Sequence, residues 1–372
     1  MPTDVLGLVA DEADGAVVAL GGGNGSPVGS AWAWTGTGWA RLMVSPKGAP
    51  AIIAPHPSPA RQFAASVYDE RRDQVVLFGG VTQTVGSTAS PINDWDTWTL
   101  GRGRWTRSLT ATHPPSTGPM AYDSINGAVI IVADANGPGF TGPGLVRPET
   151  WTWDGQTWRP LHPLAELPAG TLPVAMVADP VTRTVVAISA CCENSDGSLN
   201  SAPRLTTWTW NGRAWTNARP KTEFGGGLQV LLAYDSSSRR VLGVGGTGEG
   251  PVATWAWDGS TWTELHPANP LLFDPLSAVM AGDPATGGVV LVERRFQAAG
   301  TFIDAGGTVV WDGTTWRDHL AVTLFAADTS YGNAVVYDNP SLDRLVLVSS
   351  TSHDYSEEWM WTGTAWLQLT MG

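Results

Sequence analysis

The chain alternates two kinds of patterned stretch, and it does so seven times. The first kind is apolar. A short run ends at an Asp, a few polar residues follow, and a second run of Val, Leu and Ile carries few charges. Ala64–Asp69 followed by Gln74–Gly80 is one example; Tyr234-Asp235 followed by Arg240–Gly246 is another. Such runs predict paired strands covered on both faces. All seven copies place Asp at the turn, at Asp11, Asp69, Asp123, Asp179, Asp235, Asp283 and Asp338. There a carboxylate can accept from backbone N–H groups two residues on.

The second kind is aromatic at alternate positions. In Glu149-Thr150-Trp151-Thr152-Trp153-Asp154-Gly155-Gln156-Thr157-Trp158, the indoles of Trp151 and Trp153 share one face of a strand. Asp-Gly-x-x then makes a tight connection, with Gly free to take a positive φ. Trp158 returns opposite Trp153 on the partner strand. The final six residues recur as WTGTGW, LGRGRW, WDGQTW, WNGRAW, WDGSTW, WDGTTW and WTGTAW. Three slots in each of seven copies give 21 positions, and Trp fills 19 of them, with Leu100 and Val309 as exceptions. Of the 20 Trp only Trp95 falls outside the pattern, so the tryptophans are read as scaffold. A hairpin this small cannot bury such a face alone; copies stacked side by side can.

The last Trp of each window moves from Trp39 to Trp366 in six steps, a mean period of about 54 residues. Each period holds four strands, two apolar and two aromatic. The expected fold is therefore all-β: a seven-bladed β-propeller with four antiparallel strands per blade, one domain over residues 1–372. The blades are expected at roughly 5–43, 62–109, 118–161, 172–218, 227–265, 275–319 and 332–370, with the seventh packing on the first.

Composition narrows the partners. The net charge of −13 argues against a nucleic-acid backbone or an anionic membrane surface. The two cysteines, Cys191 and Cys192, are adjacent, so no spaced metal motif and no disulfide framework exists. No apolar run reaches membrane-spanning length. No signal peptide follows Met1, so two compartments are expected: the cytoplasm or, if an export signal precedes this sequence, a secreted or extracytoplasmic setting, toward which the scarcity of lysine (Lys47 and Lys221 only) and the abundance of Gly, Thr and Trp point. A monomer is expected.

The Tyr-Asp turn, the apolar strand ending Gly-Gly, the variable loop and the WDGxxW hairpin together resemble Kelch repeats and the central domain of galactose-oxidase-like proteins. Gly-Gly stands at Gly21-Gly22, Gly79-Gly80 and Gly245-Gly246; the other four copies depart from it. The resemblance covers essentially the whole chain and implies the propeller. Its oxidase members imply copper chemistry with two Tyr, two His and a Cys linked to one Tyr. Outside the repeat this chain has only Tyr331 and Tyr355 and a double Cys, so no cofactor and no metal is expected.

Strand polarity puts short turns at one end of the wheel and long irregular connections at the other, where binding or catalysis is expected. The long connections between second and third strands include Val81–Asp96, Asp134–Glu149, Cys191–Thr206 and Glu293–Gly307. Subtracting the repeat leaves residues the scaffold does not explain. His56, Asp94, Trp95, Arg147, Glu193, Glu293 and Arg294 are candidates for ligand binding. Trp95 offers an aromatic platform for a sugar ring, or packs over its own loop. His353, Tyr355, Tyr331 and Arg61 are candidate catalytic groups if the protein is an enzyme: a general base, hydroxyl donors and a cation at the channel mouth. His113, His162 and His266 precede prolines near the end of a fourth strand and read as structural or surface residues. The expected function is a binding module for a glycan, a protein or a small molecule; the alternative is a carbohydrate-active lyase, isomerase or other small-molecule enzyme.

Overall fold

The computed structural model describes residues 5–11, 16–21, 30–34, 39–42, 61–62, 64–82, 92–93, 95–101, 104–108, 110–137, 146–193, 199–225, 229–246, 252–271, 278–283, 286–294, 306–319, 334–339, 344–350, 356–361 and 366–368. Seven four-stranded antiparallel sheets follow one another in chain order, each pairing its strands with sequence neighbours. Blade three is typical: Met120–Asp123, Ala128–Asp134, Pro148–Trp153 and Trp158–Pro160. The apolar pair and the aromatic pair are thus one sheet, and Trp153 sits directly opposite Trp158.

The first strand of each blade is the innermost. Its neighbours run from Ala65–Asp69 through Met120–Asp123, Leu172–Asp179, Gln229–Asp235 and Ala278–Gly282 to Ala334–Asn339, which packs back against Ala65–Asp69. The wheel therefore closes through sheets two to seven, and the first sheet (Val5–Asp11 to Trp39–Leu42) does not stand between the seventh and the second. The seven-membered wheel expected from the sequence is not what forms. The physical reason is that every copy carries the same hairpin signature, so the pattern counts units without saying which of them dock. Blades two to six are described through their side chains.

Between these blades the strand alternation sorts the core. In blade three, Val129 and Ile131 pack with Trp153 and Trp158 against Val76 and Phe78 of blade two. Ile130 and Val132 on the opposite face pack against Trp210 and Trp215 of blade four. In blades three to six the indole face looks back to the preceding blade, and in blades three to five the next blade's indoles cover the other face. Trp153, Trp158, Trp210, Trp257, Trp262 and Trp316 are fully buried, as the scaffold reading requires. The first Trp of each hairpin is less uniform: Trp98 and Trp255 are buried, Trp151 and Trp208 half-buried.

A hydrogen bond locks each of the four described interfaces. The indole N–H of Trp158 donates to the hydroxyl of Thr97 on the preceding blade, at 2.8 Å; Trp215, Trp262 and Trp316 repeat this to Thr150, Thr207 and Thr254. Burying an indole leaves its one donor needing a partner, and the Thr before the first Trp supplies it.

At the turn end the chemistry is equally repetitive. Asp123, Asp179 and Asp235 each accept from two backbone N–H groups of their own turn. The fourth residue after each turn Asp is left-handed, at Asp73, Gly127, Arg183, Arg239 and Gly287. Asp154, Asn211, Asp258 and Asp312 cap the second turn in the same way. The Gly after each holds a φ between 86° and 97°, which only Gly adopts without strain.

Two expected loops turn out to be strand. In blade four the second and third strands run Thr184–Glu193 and Leu199–Trp210 and pair as far out as Glu193↔Leu199, so most of the expected loop Cys191–Thr206 is a projecting ribbon. In blade six the pairing reaches Arg294↔Gly306, so Glu293 and Arg294 are strand residues too. Neither stretch shows strict polar alternation, because a two-stranded ribbon beyond the sheet has no core face to pattern it. A small three-stranded sheet, Arg61–Gln62, Val81–Thr82 and Ile92–Asn93, continues blade two at the long-loop end.

Candidate functional site

The segment that leads from one blade to the next crosses the groove between them at the long-loop end. In every described case it first bonds to the backbone of the next blade's third Trp or its neighbour. Thr112 donates to the Trp158 carbonyl at 2.7 Å, Ala165 accepts from the Trp215 N–H at 2.9 Å, and Thr222 accepts from Trp262 at 3.2 Å. Asn269 donates to the Trp316 carbonyl at 3.2 Å. The following residue is then aimed into the groove. It is His113, Glu166 or Glu223; at the fourth crossing the residue is Pro270, which is exposed.

In two grooves that residue is a clasp. Glu166 accepts from the Thr150 backbone N–H at 3.1 Å and from its hydroxyl at 2.8 Å. Glu223 does the same with Thr207, at 3.3 and 3.1 Å. Indole, hydroxyl and carboxylate form a relay across each interface. Burial raises the Glu166 carboxyl above the ordinary carboxylate value, against the opposing pull of the Leu167 and Thr150 hydrogen bonds.

The groove between blades two and three is different. His113 lies parallel to Trp95, with ring centroids 5.4 Å apart and 6° between planes. Phe78 supports both from below, at 6.3 Å from Trp95 and 6.5 Å from His113. Trp95 and His113 are each half-buried. His113 Nδ1 lies 2.8 Å from the Pro114 carbonyl, which can only accept; Nδ1 therefore carries a proton, and in the neutral ring Nε2 is the acceptor.

The facing wall comes from blade three. The buried Asp134 carboxylate accepts from the backbone N–H groups of Asn136 (3.0 Å) and Arg147 (3.1 Å), while the Asp134 N–H donates to Ser116 at 2.7 Å. This knot brings the two ends of the loop together. Ala135 N–H then pairs with the Arg147 carbonyl at 2.8 Å, so the ladder continues and Arg147, Glu149 and Trp151 fall on one strand face. That face looks toward blade two, since Trp151 packs on the same cluster as Trp95. Glu149 accepts the Trp151 indole N–H at 2.8 Å, and Arg147 is exposed. The groove thus offers an aromatic floor, a cation and a carboxylate. Such a set can stack on a sugar's C–H face and bond its hydroxyls.

Of the residues singled out from the sequence, Trp95 forms the floor here, and Arg147 stands on the strand face that looks toward it. Arg61 pairs with Thr82 in the small sheet at the same end of blade two. Glu193 belongs to blade four, and Glu293 and Arg294 to blade six, so these three do not join the groove. His56, Asp94, Tyr331, His353 and Tyr355 lie outside the described residues. Sequence reasoning missed Glu149 and discounted His113. The spacing Arg147-x-Glu149-x-Trp151 was a usable signal for the first. For the second, the signal was a His where the next two connections carry Glu. His162 and His266 are exposed, as expected. No cluster of three metal-ligating side chains occurs among the described residues, and no helix there is long and apolar enough to cross a membrane.

No family model and no curated protein matches the chain. Solved structures do. YjhT aligns at 11% identity over 84% of this chain and 99% of its own, with a TM-score of 0.52. The SapL1 lectin in complex with α-methyl fucoside aligns at 15% identity over 84% and 95%, TM-score 0.51. The Aleuria aurantia lectin aligns at 11% identity over 84% and 96%, TM-score 0.51. At these identities the likeness shows the fold, an all-β propeller of four-stranded blades.

Proposed function

We propose that the protein is a glycan-binding propeller and that the sugar lies in the groove between blades two and three. The observation that carries this reading is the parallel Trp95–His113 pair, half-exposed at the long-loop end while nearly every other described indole serves the core. Arg147 and Glu149 on the facing strand supply the donor and acceptor that a ring of hydroxyls needs. Two of the similar folds are lectins, each in complex with a fucose-containing ligand, which supports a sugar rather than a protein as first candidate. The Kelch-type resemblance belongs to the same reading, supported by Gly79 and Gly80, both with positive φ, at the end of the second strand. A glycan ligand suits an extracytoplasmic setting.

The test is a glycan-array screen followed by calorimetry on the best ligand. Trp95→Ala should weaken binding about tenfold or more, since it removes apolar contact area as well as an aromatic contact that contributes about 0.5–1.5 kcal/mol beyond that area. Arg147→Ala and Glu149→Gln should each weaken it as well. Binding that survives all three substitutions unchanged would remove the groove from the account.

A further inference from the structure

We infer that this groove, alone among the four described blade interfaces, takes a sugar and, since no other unit of the sequence has an aromatic residue at the Trp95 position, that each chain binds one sugar and does not cross-link glycans; the inference rests on the glycan reading above. The repeat makes it possible to ask what stands at the equivalent positions elsewhere. Trp95 lies three residues before the first Trp of its hairpin. Pro148, Leu205 and Val252 take that place in blades three, four and five. His113 follows the residue that bonds the next blade's outer strand, and Glu166, Glu223 and Pro270 take its place.

In each of the other three grooves at least one of these replacements is taken up by the interface itself. Glu166 and Glu223 are spent on Thr150 and Thr207, which already hold the indoles of Trp215 and Trp262. Leu205 is itself part of the blade four–five core. In the last described groove Val252 and Leu271 form a bridge, with the Val252 N–H donating to the Leu271 carbonyl at 3.0 Å, and both side chains are buried. An aromatic floor therefore occurs at one described interface of four. The other three carry the same scaffold with the floor removed; in two of them a Glu bonded within the interface replaces the histidine, and in the third a Pro does. Glu166 and Glu223 each bond both the backbone N–H and the hydroxyl of one Thr and are turned into the interface, whereas Glu149 accepts only from the indole of its own strand.

Isothermal titration of the full chain with methyl α-fucoside, methyl α-mannoside, methyl β-galactoside and methyl β-glucoside tests this. The expected result is one site per chain for whichever glycoside binds. Trp95→Ala and His113→Ala, checked for unchanged melting temperature, should lose that binding more than tenfold and leave no second isotherm. Two or more sites, or undiminished binding in either folded variant, would overturn the inference while leaving a glycan-binding protein. No heat with any glycoside, together with an empty glycan array, would instead overturn the glycan reading itself.

Discussion

The two ends of the wheel obey different rules. At the turn end, blades repeat one solution: a buried Asp caps its own turn, a left-handed residue follows at the fourth position, and a Gly turns the aromatic hairpin. At the long-loop end, equivalent positions carry His, Glu, Glu and Pro, and the grooves beside them differ. Repetition marks the parts that hold blades together. Departure from the repeat marks the place where a ligand has something particular to meet. Trp95, the one indole outside the pattern, is also the one that stacks on a histidine.

Substitutions can break or sharpen that contrast. The largest stability effect belongs to the core. Trp158→Ala should cost about 3–5 kcal/mol in denaturant unfolding, because the side chain is fully buried and its N–H serves Thr97. Next comes the turn end. Asp123→Ala removes two backbone caps and the acceptor of the Trp210 indole at 2.8 Å, and should cost about 2–3 kcal/mol. A loss under about 0.5 kcal/mol for either would mean that the repeated features are not structural.

The clasp gives a smaller, pH-dependent effect. Burial holds the Glu166 pKa above its unfolded value of 4.5, so the folded state keeps the proton longer. The sign follows: this contribution is fully present below pH 4.5 and fades as pH rises through the folded value. Glu166→Gln should flatten that part of the stability–pH curve, and a curve identical to the original would contradict the buried placement. Smallest of all, Arg183→Gly should change stability by about 1 kcal/mol or less, and in the stabilising direction. Arg183 sits at φ 55°, where Gly127 and Gly287 stand in blades three and six. A clear destabilisation would show that the turn is not equivalent across blades.

Much of the fold was legible in the sequence. The Asp turns, the Asp-Gly turns and the paired indoles each follow from local patterning, and local patterning is what a repeat repeats. Ring closure was not legible, because the first unit's Trp32, Trp34 and Trp39 look as competent as any other set. The indole–hydroxyl locks were half-legible. A Thr precedes the first Trp at Thr97, Thr150, Thr207 and Thr254, but its partner lies in the next blade, about 60 residues away. The groove was legible only through Trp95 and Arg147. His113 shares its His-Pro context with exposed histidines, and Glu149 hides inside the repeated hairpin; only the register and the blade-to-blade crossing bring them together.

The most direct test uses the indole N–H signals of the protein in solution, assigned by Trp-to-Phe variants and followed as the bound glycoside is added. The account predicts a large shift for the Trp95 indole and a smaller one for Trp151, with the buried Trp158, Trp215, Trp262 and Trp316 unmoved. Shifts centred on Trp210 and Trp257, with Trp95 silent, would contradict it.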